Sequence, residues 1–105
     1  MAWVYLAVAG LLEIVWAFAM KQSDGFTRVV PSLITLVGTI GSFGFLALAM
    51  RALPLGTAYT VWTGIGAVGA FFVGIVFLGE QINVMRVAAA IMIVGGLVTM
   101  KLAEG

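Results

Sequence analysis

The sequence predicts an all-α membrane protein with four transmembrane helices per protomer. Three observations lead there. Of 105 residues, 64% are hydrophobic and 9% charged, with a mean hydropathy of +1.25, whereas soluble domains are roughly half apolar and a quarter charged. The apolar residues fall into four runs, 2–20, 29–50, 57–78 and 84–102, each long enough at about 1.5 Å per residue to cross a hydrocarbon core of about 30 Å. The segments between runs are short and rich in turn residues. Because lipid offers no hydrogen bonds to an unpaired backbone, helices joined by tight turns are the economical architecture. Residues 1–105 are therefore expected to form a single four-helix transmembrane domain.

The first run, from Ala2 to Met20, has no basic leader, is longer than a signal-peptide core and lacks a small-residue cleavage site, so it reads as a retained span. The segment KQSDGFTR follows, with Asp24-Gly25 as its turn signal. In the second run Pro31 falls within the first helical turn, where a missing N–H costs little. RALPLG, with Pro54 and Gly56, punctuates the passage to the third run, expected to start at Thr57. GEQIN ends at Asn83, an N-cap residue for the last helix.

A net charge of +1 provides no basic patch, so nucleic acid is not an expected partner. Cysteine and histidine are both absent, which removes disulfides, thiolate chemistry, axial haem ligands and the usual zinc sites. No cofactor is expected. Proton chemistry then falls to carboxylates.

With four spans, Arg51 and Lys101 share one side with the N-terminus, against Lys21, Arg28 and Arg86 on the other. That bias is too thin to fix an orientation. It fits a chain that inserts one way, and it equally fits dual topology with an antiparallel homodimer. Four helices of this size enclose almost no polar cavity, so a buried acid would gain a water-accessible site most naturally at a subunit interface. In the last run Ala88, Gly95 and Thr99 stack at helical spacing with Gly96 beside them. Small faces of this kind let helix backbones approach closely, either between copies or within one protomer.

The stretch LLEIVWAFAMK places Glu13 in the middle of the first span. On a helix it shares a face with Ala9, Gly10, Trp16 and Ala17, away from a bulky stripe of Val4, Val8, Leu11, Val15 and Phe18 expected to face lipid. An acid at this depth costs about 2.5–3.5 kcal/mol on insertion scales and marks a functional site by default, the plain alternative being a protonated carboxyl bonded to a neighbouring helix. In LGTAYTVWTGIGAVG, Tyr59 and Trp62 lie three apart and Gly66 follows on the same face. Thr35, Gly38, Ser42 and Phe45 form a polar and small face on the second helix. Trp3 and Tyr5 read as interfacial belt residues, while Trp16 and Trp62 lie deeper. Aromatic faces and a carboxylate both attract cations. Gly64, Gly66 and Gly69, with Gly10, serve either a hinge or close helix packing.

Through LLEIVWAFAMKQSDGFTR, LPLGTAYTVWTGIGAVGA and the Lys101 of GGLVTMKLAEG, the chain resembles the small multidrug resistance family of proton-coupled exporters over essentially its whole length. Within that family it is similar to the guanidinium exporter subtype. The cue is Trp16-Ala17, where polyaromatic-cation exporters typically carry Gly then Thr. The resemblance implies an antiparallel, dual-topology homodimer in the prokaryotic inner (plasma) membrane, exchanging guanidinium-type cations for protons. It also implies that Glu13 of both subunits binds proton or substrate in competition, while Trp16, Ser42, Tyr59 and Trp62 shape the site. Two other readings stay open: a broader quaternary ammonium exporter, with a wider and greasier pocket, and a passive ion channel.

Overall fold

The computed structural model describes residues 1–104 as four helices: α1 (Ala2–Gln22), α2 (Val29–Ala49), α3 (Leu55–Leu78) and α4 (Val84–Glu104). All four are long and apolar enough to span a membrane. Their ends follow local chemistry more than hydropathy. Helix α1 runs through the polar pair Lys21 and Gln22 because Ser23 completes its last turn, with the Ser23 amide donating to the Ala19 carbonyl at 2.9 Å and Ser23 Oγ to the Met20 carbonyl at 2.6 Å. The same hydroxyl accepts the Phe26 amide at 3.1 Å, and Asp24, Gly25 and Phe26 turn the chain with positive φ. Helix α3 begins at Leu55, two residues before the expected Thr57, since the Pro54 carbonyl accepts the Ala58 amide at 3.0 Å. Gly56 thus lies inside the first turn of α3 and not in the connection. Asn83 caps α4 as its sequence position suggests, Oδ1 accepting the Arg86 amide at 2.8 Å.

The helices form an open slab, 42 × 34 × 16 Å, in place of a closed bundle. Its thin dimension is little more than one helix diameter of about 10–12 Å. Helix α1 is central, packing along both α2 and α3, which barely meet each other, and the backbone of α4 packs along α3 alone. Small residues permit these approaches. A β-carbon at Gly10 would lie 2.8 Å from Ile65 Cβ, one at Gly38 2.9 Å from Trp16 Cβ, and one at Gly41 3.3 Å from Leu12 Cδ1.

The buried core sits at the end of the slab where the chain starts: Leu6, Ala9, Leu46, Ala49, Ala58, Val61 and Trp62. Lys101, near the end of α4, places Nζ 4.6 Å from the ring centre of Trp3 there. At the opposite end an apolar recess of about 730 Å³ opens among Phe18, Gln22, Pro31 and Phe77. Of the stripe expected to face lipid, Val4, Leu11 and Val15 are exposed, whereas Val8 and Phe18 are half-buried. Phe18 turns its ring edge-on to Phe77 at 6.1 Å, because α3 leans over that side of α1. Trp3 and Tyr5 likewise pack against the core, Tyr5 with its ring centre 6.0 Å from that of Phe45, in place of a purely interfacial position.

Candidate functional site

Glu13 projects from the middle of α1 toward α3, where the missing side chain of Gly66 makes room for it. A β-carbon at Gly66 would sit 2.7 Å from Glu13 Cγ and closer still to the carboxyl group. Glycine at 66 is thus a packing requirement set by the acid. One turn before Glu13, the Ala9 carbonyl accepts a hydrogen bond from Ser42 Oγ of α2 at 2.6 Å. The same hydroxyl accepts the indole N–H of Trp62 from α3 at 2.9 Å. Trp62 lies one turn before Gly66, so the two ties from α1 to α3 run side by side. Ser42, fully buried, thereby uses both its donor and an acceptor to join three helices.

Aromatic rings extend this centre. Trp62 lies 5.6 Å from Tyr59 and 5.5 Å from Phe43, centre to centre, both tilted. Tyr59 is 53% exposed and lines a recess of about 510 Å³ between α3 and α4. Trp16 backs onto the Gly38 notch of α2. Among the described residues, two buried side-chain polar atoms lack a hydrogen-bond partner, Glu13 Oε1 and Trp16 Nε1. They lie three residues apart on α1, one an acceptor and the other a donor. Leaving such atoms unpaired costs about 1–3 kcal/mol each, and more for a charged group.

A family model described as Small Multidrug Resistance protein matches residues 1–95. The chain belongs to the small multidrug resistance family. It is 55% identical over 102 residues to a guanidinium exporter of Escherichia coli (strain K12), with 97% of each chain covered. It is 53% identical over 104 residues to a guanidinium exporter of Proteus vulgaris, covering 99% of this chain and 100% of that one. A guanidinium exporter of Citrobacter freundii is 52% identical over 102 residues, 97% of each chain. These relatives are named as exporters, that is, as transporters, and the family match with four apolar spans makes this small multidrug resistance protein an integral protein of the inner membrane.

Of the residues singled out in this family member, Ser42, Tyr59 and Trp62 form one connected cluster, and Glu13 and Trp16 lie within a turn or two of its anchor at Ala9. The glycines of α3 pack closely in an unbroken helix: Gly64 under Leu97, with Cγ 3.0 Å from a β-carbon placed there, Gly66 under Glu13 and Gly69 under Ile14. On α4, Ala88, Gly95, Gly96 and Thr99 are all exposed. A β-carbon at Gly95 or Gly96 would meet nothing within 4 Å, so packing within the protomer does not account for this small face. Phe43 escaped the sequence reading, its only signal being its place next to Ser42 between Gly41 and Gly44. The pairings of Gly38 with Trp16 and of Lys101 with Trp3 carry no sequence signal, because each joins separate helices.

Proposed function

We propose that the protein exports guanidinium or small guanidinyl cations in exchange for protons, as an antiparallel dual-topology homodimer in which the two Glu13 carboxyls bind proton and substrate in competition. The observation that carries this reading is the unpaired, buried Glu13 Oε1 beside the Ser42–Trp62 tie. Relatives at 52–55% identity are named guanidinium exporters, which supports the choice of cation.

The chemistry follows from the residues. A half-buried carboxyl whose buried oxygen has no protein partner favours an occupant, since an uncompensated charge away from water is costly. A proton fills one oxygen; a planar guanidinium fills both, its parallel N–H donors matching the carboxylate fork. Aromatic faces at Trp16, Trp62 and Tyr59 attract positive charge and suit a flat ion. The Ser42 hydrogen bonds hold Trp62 in place, so the cage is ordered before the cation arrives. Proton and cation exclude each other at the one group, which couples their movements without any further device.

In an antiparallel dimer the inward-facing and outward-facing states are equivalent by symmetry, so alternation needs no bias at rest. The gradients supply direction, at about 1.4 kcal/mol per proton per pH unit and about 2.3 kcal/mol per charge per 100 mV. The exposed small face of α4 offers the close contact that such a dimer requires. The test is uptake of guanidinium into proteoliposomes under an imposed pH gradient, for the parent protein and Glu13→Gln. Uptake that follows the gradient and vanishes in the variant supports the proposal; gradient-driven uptake that persists in the variant overturns it.

A further inference from the structure

The connection between α3 and α4 carries a set of contacts that the transport site does not use. Arg86 is the third residue of α4, where the positive end of the helix dipole disfavours a cation. Its guanidinium is nevertheless held from three directions. Nη1 donates to the Gln81 carbonyl, Nη2 lies 3.4 Å from Glu80 Oε1, and the guanidinium carbon stands 5.1 Å above the ring centre of Phe71, about two turns back along α3 from the connection.

Glu80 is itself anchored to α3. Helix α3 ends with Gly79 in the left-handed region at φ 67°, which lets the Glu80 amide donate to the Gly74 carbonyl at 3.1 Å. The Glu80 side chain then folds back over Gly74, where an added β-carbon would lie 2.7 Å from its carboxyl carbon. Gly74 thus leaves room for this carboxyl, which an added β-carbon would push aside, and the carboxyl lodged there points at Arg86. At the far end of α4 the contact with α3 is of another kind, Leu97 lying over Gly64. That contact is apolar, and beside it Thr57 Oγ1 of α3 donates to the soft Met100 Sδ of α4 at 3.9 Å.

We propose that Arg86, Glu80 and the Gly74 notch form a clasp that makes α4 and the C-terminal half of α3 one rigid unit. During the change of access α4 and that half of α3 then move as one body. This inference rests on the alternating-access reading above, but the clasp has a readout of its own. An exposed ion pair contributes little by itself; its effect here comes from closing a loop whose other ties are a backbone hydrogen bond, a ring face and a fitted notch.

The test uses the full-length protein in lipid nanodiscs and proteoliposomes, with variants Arg86→Gln, Glu80→Gln, Gly74→Ala and the double variant Glu80→Gln/Arg86→Gln. Hydrogen exchange at the Glu80 amide reports the clasp, guanidinium titration of tryptophan fluorescence reports the site, and guanidinium–proton exchange reports turnover. The expected result is a roughly tenfold loss of Glu80 amide protection and at least a roughly threefold drop in turnover, with guanidinium affinity within about twofold of the parent. The double variant is expected to be no worse than the more affected single one. Unchanged amide protection overturns the clasp, whatever the protein transports. Lost protection with unchanged turnover overturns its coupling to transport, and affinity that falls in step with turnover overturns it as well, by placing the effect at the site. A parent protein that exchanges no guanidinium for protons overturns the transport reading and the coupling with it, while amide protection still reports whether the clasp exists.

Discussion

Gly66→Ala adds one methyl group directly against the Glu13 side chain. The new β-carbon would lie 2.7 Å from Glu13 Cγ, whereas ordinary contact begins at 3.4 Å, so Cγ must withdraw by about 0.7 Å to reach ordinary contact and the carboxyl by more. Relief along α3 is blocked, since Gly69 and Gly64 are already filled by Ile14 and Leu97. The strain of such overpacking is about 1–3 kcal/mol, enough to be taken up by a shifted Glu13 rotamer without unfolding four lipid-embedded helices. A displacement near 1 Å at a binding group costs on the order of 100-fold in rate. Guanidinium exchange in proteoliposomes should therefore fall by one to two orders of magnitude, with far-UV circular dichroism unchanged. Exchange within about twofold of the parent, with unaltered affinity, would refute the idea that Gly66 sets the position of the carboxyl.

Other predictions test separate parts of the account. Ser42→Ala strips the Trp62 indole N–H and the Ala9 carbonyl of their partner; it should cost about 1–3 kcal/mol in stability and weaken guanidinium binding, measured by thermal unfolding and by tryptophan fluorescence titration. Competition for one carboxyl sets the sign of the pH dependence. Acidification fills Glu13 with protons and weakens apparent guanidinium affinity, by up to about tenfold per pH unit for each proton displaced, and binding titrations across pH check it. Gly95→Leu should leave the protomer's packing intact, since nothing lies within 4 Å of that position, yet shift the monomer–dimer equilibrium in lipid toward monomer by about tenfold or more. Single-molecule photobleaching counts the copies. A bulky tetra-alkylammonium ion should compete poorly against guanidinium, because it brings no N–H donors to the Glu13 fork.

Much of the fold is legible in the sequence because the bilayer imposes a simple demand, about twenty apolar residues per span with every backbone group paired. The exact ends are not, since they depend on caps such as Ser23 and Pro54 that hydropathy does not register. At the site, Glu13 stands out as the acid deep in a span, and helical spacing alone aligns Tyr59, Trp62 and Gly66 on one face of α3. What spacing cannot tell is which helix lies opposite. The fit of Glu13 to Gly66, of Trp16 to Gly38 and of Glu80 to Gly74 depends on how the slab is assembled. The same limit explains Phe18, which looks lipid-facing by period but meets Phe77 because α3 leans across it. The small face of α4 is visible at both levels, and its exposure in the protomer is what spacing alone left open.

The central claim is that one carboxyl exchanges a guanidinium-type cation for protons. Its most direct test is a simultaneous record of guanidinium content and internal pH in proteoliposomes carrying the purified protein, with a pH gradient as the only driving force. The account predicts guanidinium accumulation against its own gradient, matched by proton movement in the opposite direction, and neither flux with Glu13→Gln. Guanidinium flux that runs only downhill and leaves internal pH unchanged would contradict it.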